Sequence, residues 1–227
     1  MKILDVFPLS IVSDNIILRP ENKKEIISQV LKIERDTNSP YKKEERSWLG
    51  DIEGHEAFLS NCYCKDLSKL IGEKLRLYTE IFEIDNQKVN FYIQRSWPTI
   101  TRKNEHIKLH KHSQSHISFV YYLKKPENSG GLEFTVERYN EMAQGIFDNN
   151  KHSLGFLKKI NTRNSDAIGI QTEEDTIIMF PSKIEHGTVK SLTDEPRISI
   201  SGDVCLVLKD SKGHETLFPP LKQWQLV

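Results

Sequence analysis

Residues 117–123 read Ile117-Ser118-Phe119-Val120-Tyr121-Tyr122-Leu123, a β-branched and aromatic run whose two-residue alternation sets Ser118, Val120 and Tyr122 against Phe119, Tyr121 and Leu123. One tyrosine then faces a pocket and the other a core. Working outward, similar short runs occupy 89–93, 107–112, 132–136, 167–171, 176–180 and 198–208, punctuated by Gly, Pro, Asn and Ser, with Gly130-Gly131 marking a turn. Such a series predicts an all-β half built as a sandwich, jelly roll or barrel. Upstream, 21–35 carries Ile26, Ile27, Val30, Leu31 and Ile33 near helical period, and 66–83 repeats the pattern with Leu67, Leu70, Ile71, Leu75 and Tyr78. These two packing helices are expected to cover one sheet. The polar stretch 37–60 reads as an irregular connection, and 138–164, with Gly145, Asn149-Asn150 and several lysines, as an insertion between strands.

The 227 residues are expected to form one domain, with 1–88 as helical support, 89–210 as the β core and 211–227 as a tail. Hydrophobic residues at 37% and charged ones at 28% supply a core and exclude a chain disordered throughout. Its 32 basic side chains balance 32 acidic ones, which removes the bulk attraction that a nucleic-acid or anionic-membrane binder carries, so neither partner is expected. No apolar stretch approaches the roughly 20 residues of a membrane-spanning helix, and Asp5 interrupts what would be the apolar region of a signal peptide. Cys62, Cys64 and Cys205 are odd in number and lack a CxxC pair. Neither a disulfide framework nor a four-thiolate zinc site is therefore expected, and a reducing cytoplasm fits.

Of the eight histidines, His106, His110, His112 and His116 fall in one eleven-residue window, which an ordinary surface strand has no structural reason to hold. In an extended chain His110 and His112 share a face while Leu109 and Lys111 point away, giving half of a metal site. A further ligand must come from far along the chain, and His186, delivered after Phe180-Pro181-Ser182, is the best placed; imidazole suits iron, zinc, copper and nickel. Eleven residues later, Arg197, Ser199 and Ser201 alternate with Ile198 and Ile200. An arginine on the polar inner face of a barrel needs an anion, which a dicarboxylate ligand supplies, with Ser199 adding a neutral donor.

In order along the chain, His110-x-His112, Ser118-x-Val120-Tyr121-Tyr122-Leu123, Gly130-Gly131-Leu132-Glu133-Phe134, Phe180-Pro181-Ser182, His186 and Arg197-x-Ser199 resemble the iron(II)- and 2-oxoglutarate-dependent oxygenases. The closest resemblance is to the branch found in marine bacteria and their phages; it covers 91–207, and Phe7-Pro8 with the following helix fits as well. It implies a double-stranded β-helix, or jelly roll, with helices bracing one sheet and the metal at the open end. Fe(II) is then held by His110, His186 and His112, and Arg197, Tyr122, Ser199 and Ser118 serve the cosubstrate 2-oxoglutarate, Tyr122 matching the tyrosine that bonds its distal carboxylate in prolyl hydroxylases. Dioxygen is the other partner, succinate and carbon dioxide are released, and a C–H of an unidentified small-molecule or protein side-chain substrate is oxidised, hydroxylation being the usual outcome.

One position departs from that superfamily. Most members carry Asp or Glu two residues after the first histidine, where this chain has His112. Three readings stand: His112 completes a three-histidine site, the metal keeps only His110 and His186, or Glu105 or Glu133 reaches in. Isolated histidines such as His55, His152 and His214 are read as surface or hydrogen-bonded residues, and His106 and His116 as rim residues that orient ligands or line the opening. Ser118 either lines the cosubstrate pocket or is a small residue at a crowded position; Phe119 and Tyr121 are packing residues, and Trp97 a core or rim aromatic. Two other functions are open: a three-histidine cupin-type metal enzyme without 2-oxoglutarate, against which Arg197-x-Ser199 argues, and a non-catalytic jelly-roll binding or structural module. The connections 37–60 and 138–164 are where substrate specificity is expected to reside.

Overall fold

The apolar positions spaced three and four apart do form helices, and the alternating runs form strands. In chain order these are β1 (Val12–Asn15), α1 (Pro20–Asp36), β2 (Trp48–Leu49), α2 (Lys65–Glu80), β3 (Val89–Thr101), β4 (Ile117–Lys124), β5 (Leu132–Thr135), β6 (Ala167–Ile170), β7 (Thr176–Pro181), β8 (Glu185–Thr188) and β9 (Arg197–Leu208). The computed structural model describes residues 1–3, 6, 8–37, 45–135, 157–213 and 216–227. Phe7, His152, His214 and most of the 138–164 insertion lie outside these residues.

Helix α1 starts on Pro20, whose missing N–H is no loss at a first helical position, and stops at Thr37, whose N–H and hydroxyl both go to the Ile33 carbonyl at 2.9 and 2.7 Å. Asp66, in the first turn of α2, accepts from Arg19 at 2.7 Å and Asn22 at 2.6 Å, tying the starts of the two helices together. Their apolar faces, with Ile26, Val30, Leu67, Ile71 and Leu75, pack in one cluster with Phe119, Tyr121, Ile198, Ile200 and Val204 of the strands. Each such buried side chain contributes about 1.5–3 kcal/mol.

Six strands form an antiparallel sheet in the order β1-β7-β4-β9-β3-β2, and three form a second in the order β6-β5-β8. One face of the large sheet carries the helices; the other meets the small sheet through Val120, Tyr122, Ile178 and Phe180 against Leu132 and Phe134. Two antiparallel sheets enclosing a cavity, with N-terminal helices on one of them, are the expected jelly-roll arrangement. The alternation in 117–123 holds: Tyr121 lies in the helix-side core, its hydroxyl donating to Asp175 at 2.8 Å, and Tyr122 faces between the sheets.

Three boundaries differ from the sequence reading. Strand β3 runs on beyond Ile93, where the 89–93 run stops, to Thr101, past Pro98. Pro98 is tolerated because β2 pairs only with Ile100 and Thr99, so no ladder bond requires its nitrogen, while its carbonyl still accepts from Gly50 N at 2.9 Å. Residues 107–112 are extended without forming a strand, touching β8 through an isolated bridge between His110 and His186. Finally, the region before 89 supplies both edge strands of the large sheet, β1 and β2, the second within the stretch read as an irregular connection.

Candidate metal and cosubstrate site

A cavity of 440 Å³ opens between the two sheets and is lined by His110, His112, His186, Tyr122, Arg197 and Ser199, with Ser118 also in its wall. The sheet register explains the convergence. Thr101 pairs with Arg197, Thr99 with Ser199 and Trp97 with Ser201 across β3 and β9, while Tyr122 pairs with Ser199 and Ser118 with Asp203 across β4 and β9. Arg197, Ser199 and Ser201 line the cavity and Ile198 and Ile200 sit in the helix-side core, as the alternation predicts.

At one end three imidazoles meet. His110 and His186 exchange backbone hydrogen bonds at 2.9 and 2.8 Å, and His112 N donates to Ser182 O at 2.9 Å. Close approach of this segment to β8 requires Gly187: a Cβ there would lie 2.8 Å from Ile107 O and 3.1 Å from Leu109 N. The ring centroids of His110 and His186 are 4.4 Å apart, those of His110 and His112 5.0 Å, and those of His112 and His186 5.2 Å.

The tautomers follow from the neighbours. His110 Nδ1 lies 2.9 Å from Lys108 O and His186 Nδ1 2.9 Å from Ile184 O, each ring folded back on the carbonyl two residues earlier. A carbonyl only accepts, so both Nδ1 atoms carry the hydrogen and both Nε2 lone pairs are free. His112 Nδ1 meets Asp203 Oδ1 at 2.5 Å, which leaves its Nε2 free as well. Burial pushes the His186 imidazole down to about 3 and holds His110 below its usual range, neighbouring imidazoles adding to both shifts, so these rings favour the neutral form that binds metal. The three residues offer ligand atoms within 4.8 Å of one another, a donor set that fits a divalent transition metal such as Fe(II).

At the other end Arg197 is 1% exposed and has no carboxylate partner among the described residues. Its guanidinium donates to Ser129 O (2.7 Å), Gly130 O (3.1 Å), Thr101 Oγ1 (3.0 Å) and Thr188 Oγ1 (3.1 Å). Gly130 has a positive φ of 76°, and a Cβ there would lie 2.1 Å from Val189 O, so only glycine makes the turn that aims these two carbonyls at the guanidinium. Tyr122, 1% exposed, has a buried hydroxyl with no hydrogen-bond partner among the described residues, and the Thr172 hydroxyl likewise has none there. A buried cation without an anion beside an unsatisfied phenol fits a missing carboxylate, as a bound 2-oxoglutarate provides.

The remaining expectations divide. Ser118 lines the cavity at its histidine end, its Oγ 2.8 Å from Asp203 Oδ1 and 2.9 Å from Ser182 Oγ. His106 lines the cavity, with a buried Nδ1 that has no partner among the described residues. His116 does not belong to the site: its Nδ1 accepts from Leu206 N at 2.9 Å and its ring packs 5.7 Å from Phe218. Neither glutamate reaches the metal end, since Glu105 Oε2 accepts from Arg102 N at 2.7 Å and Glu133 alternates outward from Leu132 and Phe134. Trp97 lines the rim, with the Arg95 guanidinium 5.2 Å above its ring. Sequence reading missed Asp203, Thr101 and Thr188; continuing the alternation of Arg197, Ser199 and Ser201 by one step points to Asp203.

Among solved structures, the chain is similar to the α-ketoglutarate-dependent epimerase SnoN from nogalamycin biosynthesis, with a TM-score of 0.57, 10% identity and coverage of 89% of this chain and 82% of that one. HygX from Streptomyces hygroscopicus, solved with nickel, 2-oxoglutarate and hygromycin B, gives 0.54, 10%, 86% and 82%. A Pseudomonas putida prolyl-4-hydroxylase gives 0.50, 10%, 86% and 92%. At these identities the likeness is one of fold. No curated protein sequence matches the chain. Residues 95–203, a segment that begins at the rim arginine and holds every histidine and cosubstrate-end residue named for the site, match the family described as "Putative 2OG-Fe(II) oxygenase".

Proposed function

We propose that His110, His112 and His186 hold Fe(II), that Arg197, Tyr122 and Ser199 receive the distal carboxylate of 2-oxoglutarate, and that the enzyme hydroxylates a C–H of its substrate. The carrying observation is that three free Nε2 atoms and one uncompensated buried guanidinium line the same cavity. When bound, the iron couples oxidative decarboxylation of 2-oxoglutarate by dioxygen to substrate oxidation; with hydroxylation, R–H, O2 and 2-oxoglutarate give R–OH, succinate and CO2.

The chain's own residues do the rest. Arg197 supplies the charge that fixes the far end of the dicarboxylate, so the 2-oxo acid end is directed toward the histidines along β9. The Thr101 and Thr188 hydroxyls, which now accept from Nη2, can turn to donate to the incoming carboxylate. Leu132, Phe180 and Val120 give the cavity apolar walls that limit water around the reacting atoms. The prime substrate meets the 37–60 connection, from which Arg46, Ser47, Leu49 and Asp51 line the cavity.

Anaerobic titration of the iron-loaded protein with 2-oxoglutarate tests the reading. A visible charge-transfer band that saturates in wild type and is lost at the same concentrations in Arg197→Ala is the expected result. Iron bound with no band at saturating 2-oxoglutarate would overturn it in favour of a three-histidine enzyme without that cosubstrate, and no metal bound at all would favour a non-catalytic module.

A further inference from the structure

Asp203 is fully buried, yet among the described residues no lysine or arginine pairs with it. Its Oδ1 takes the His112 Nδ1–H at 2.5 Å and lies 2.8 Å from the Ser118 hydroxyl, while its buried Oδ2 has no hydrogen-bond partner among those residues. The nearest cation by register, Arg95 directly across β3, turns instead to Asp51 at 2.5 Å. An enclosed carboxyl group held only by an imidazole N–H and a hydroxyl is costly by itself. The cost is offset if positive charge arrives on the far side of that imidazole. His112 Nε2 is that far side, and it lies in the three-histidine cluster.

We infer that Asp203 is the positioning residue of the metal centre, acting through His112: it fixes the Nδ1–H tautomer and gives the imidazole the electron density that three neutral ligands otherwise lack. The inference rests on the three-histidine reading. In the oxygenase superfamily a carboxylate commonly stands where this chain has His112; here a carboxylate serves the same position one bond further out. Such a partner orients the ring and raises its basicity toward the metal. Ser118 and Ser182 complete the bracket, since Ser118 Oγ lies 2.9 Å from Ser182 Oγ and the Ser182 carbonyl holds the His112 backbone N–H.

The test is Ni(II) binding by calorimetry to chelator-stripped wild type, Asp203→Asn, His112→Ala and His110→Ala, with the thermal midpoint of each metal-free protein measured alongside. Asp203→Asn keeps an acceptor for Nδ1–H and removes the charge; it is expected to weaken Ni(II) binding by about 10- to 100-fold while the metal-free midpoint stays near wild type. A merely structural Asp203 would move the midpoint and leave Ni(II) affinity unchanged, which would overturn the inference. Should His112→Ala bind Ni(II) like wild type while His110→Ala does not, the three-histidine reading itself fails, an outcome distinct from failure of the Asp203 role. If Asp203→Asn does not fold, imidazole nitrogen NMR of the metal-free wild type decides: an Nδ1–H tautomer with a low-field proton at His112 is expected, and an Nε2–H tautomer would overturn the assignment.

Discussion

The main chains of His110 and His186, 76 positions apart, hold each other directly: each backbone N–H donates to the other's carbonyl, at 2.9 and 2.8 Å, and the two rings come to rest 4.4 Å apart. The bridge belongs to the backbone and the metal-binding capacity to the side chains, so the two are separable.

His186→Ala or His110→Ala should therefore abolish stoichiometric metal binding while leaving the reciprocal backbone bonds in place. Elemental analysis after metal loading should read below one tenth of wild-type occupancy (about 1.4 kcal/mol or more in binding), with unchanged far-ultraviolet circular dichroism. Full occupancy in the His186 variant would exclude it from the site.

Arg197→Ala should leave metal binding intact and weaken 2-oxoglutarate by about 2–5 kcal/mol, the usual cost of truncating one partner of a buried charged contact. Stability should fall too, because the Ser129 and Gly130 carbonyls lose their donor. Titration of the metal-loaded variant reads the first effect and thermal unfolding the second.

Tyr122→Phe separates binding from stability in the opposite sense. Its hydroxyl is buried without a partner among the described residues, so its removal should not lower the thermal midpoint of the ligand-free protein. The same change should weaken 2-oxoglutarate binding by about 1 kcal/mol, one neutral hydrogen bond. A lower midpoint with unchanged affinity would place the phenol in the core rather than in the pocket.

The metal-free protein should lose stability as pH falls from about 7.5 to 5.5. Burial depresses His110, His116 and His186 below the 6.5 of a free imidazole, with Lys183 adding to the effect at His116 and His186 reaching about 3. Between those values the unfolded chain binds more protons than the folded one, so protonation favours unfolding. Asp14 and Asp66, held below 3.8 by Lys74 and Arg19, act with the same sign only at lower pH. A midpoint that rises on acidification in this window would contradict the assignment, and His116→Gln should shrink the drop.

Gly187→Ala should displace the 107–109 segment, since the new Cβ would meet Ile107 O at 2.8 Å. The expected result is a stability loss of about 1–3 kcal/mol and weaker metal binding through His110, read by unfolding and by metal titration.

Much of this was legible in the sequence because β-structure has a strict period. The alternations in 117–123 and from Arg197 assign Tyr122, Arg197, Ser199 and Ser201 to one face and Tyr121, Ile198 and Ile200 to the other, and the structure keeps both assignments. The spacing of His110 and His112 likewise put two imidazoles together, although the segment forms no regular strand. What failed were readings that depended on neighbours: the run from 89 looked finished at Ile93 until β9 proved to pair with it as far as Thr101, and His116 looked like a rim residue until Leu206 claimed its Nδ1.

By itself the sequence determined the fold class and the chemistry available, because side-chain period and residue type are local properties carried along each strand. Only the tertiary structure decided which imidazole nitrogens are free, that Ser118 lies beside the histidines, that Arg197 stands without a carboxylate partner among the described residues, and that Asp203 rather than Glu105 or Glu133 approaches the histidine cluster. Apart from the two Nδ1 bonds to carbonyls two residues earlier, each of those depends on a hydrogen bond or a missing partner between segments far apart in the chain, and which segments meet is set by strand pairing that the alternation within a single strand does not specify.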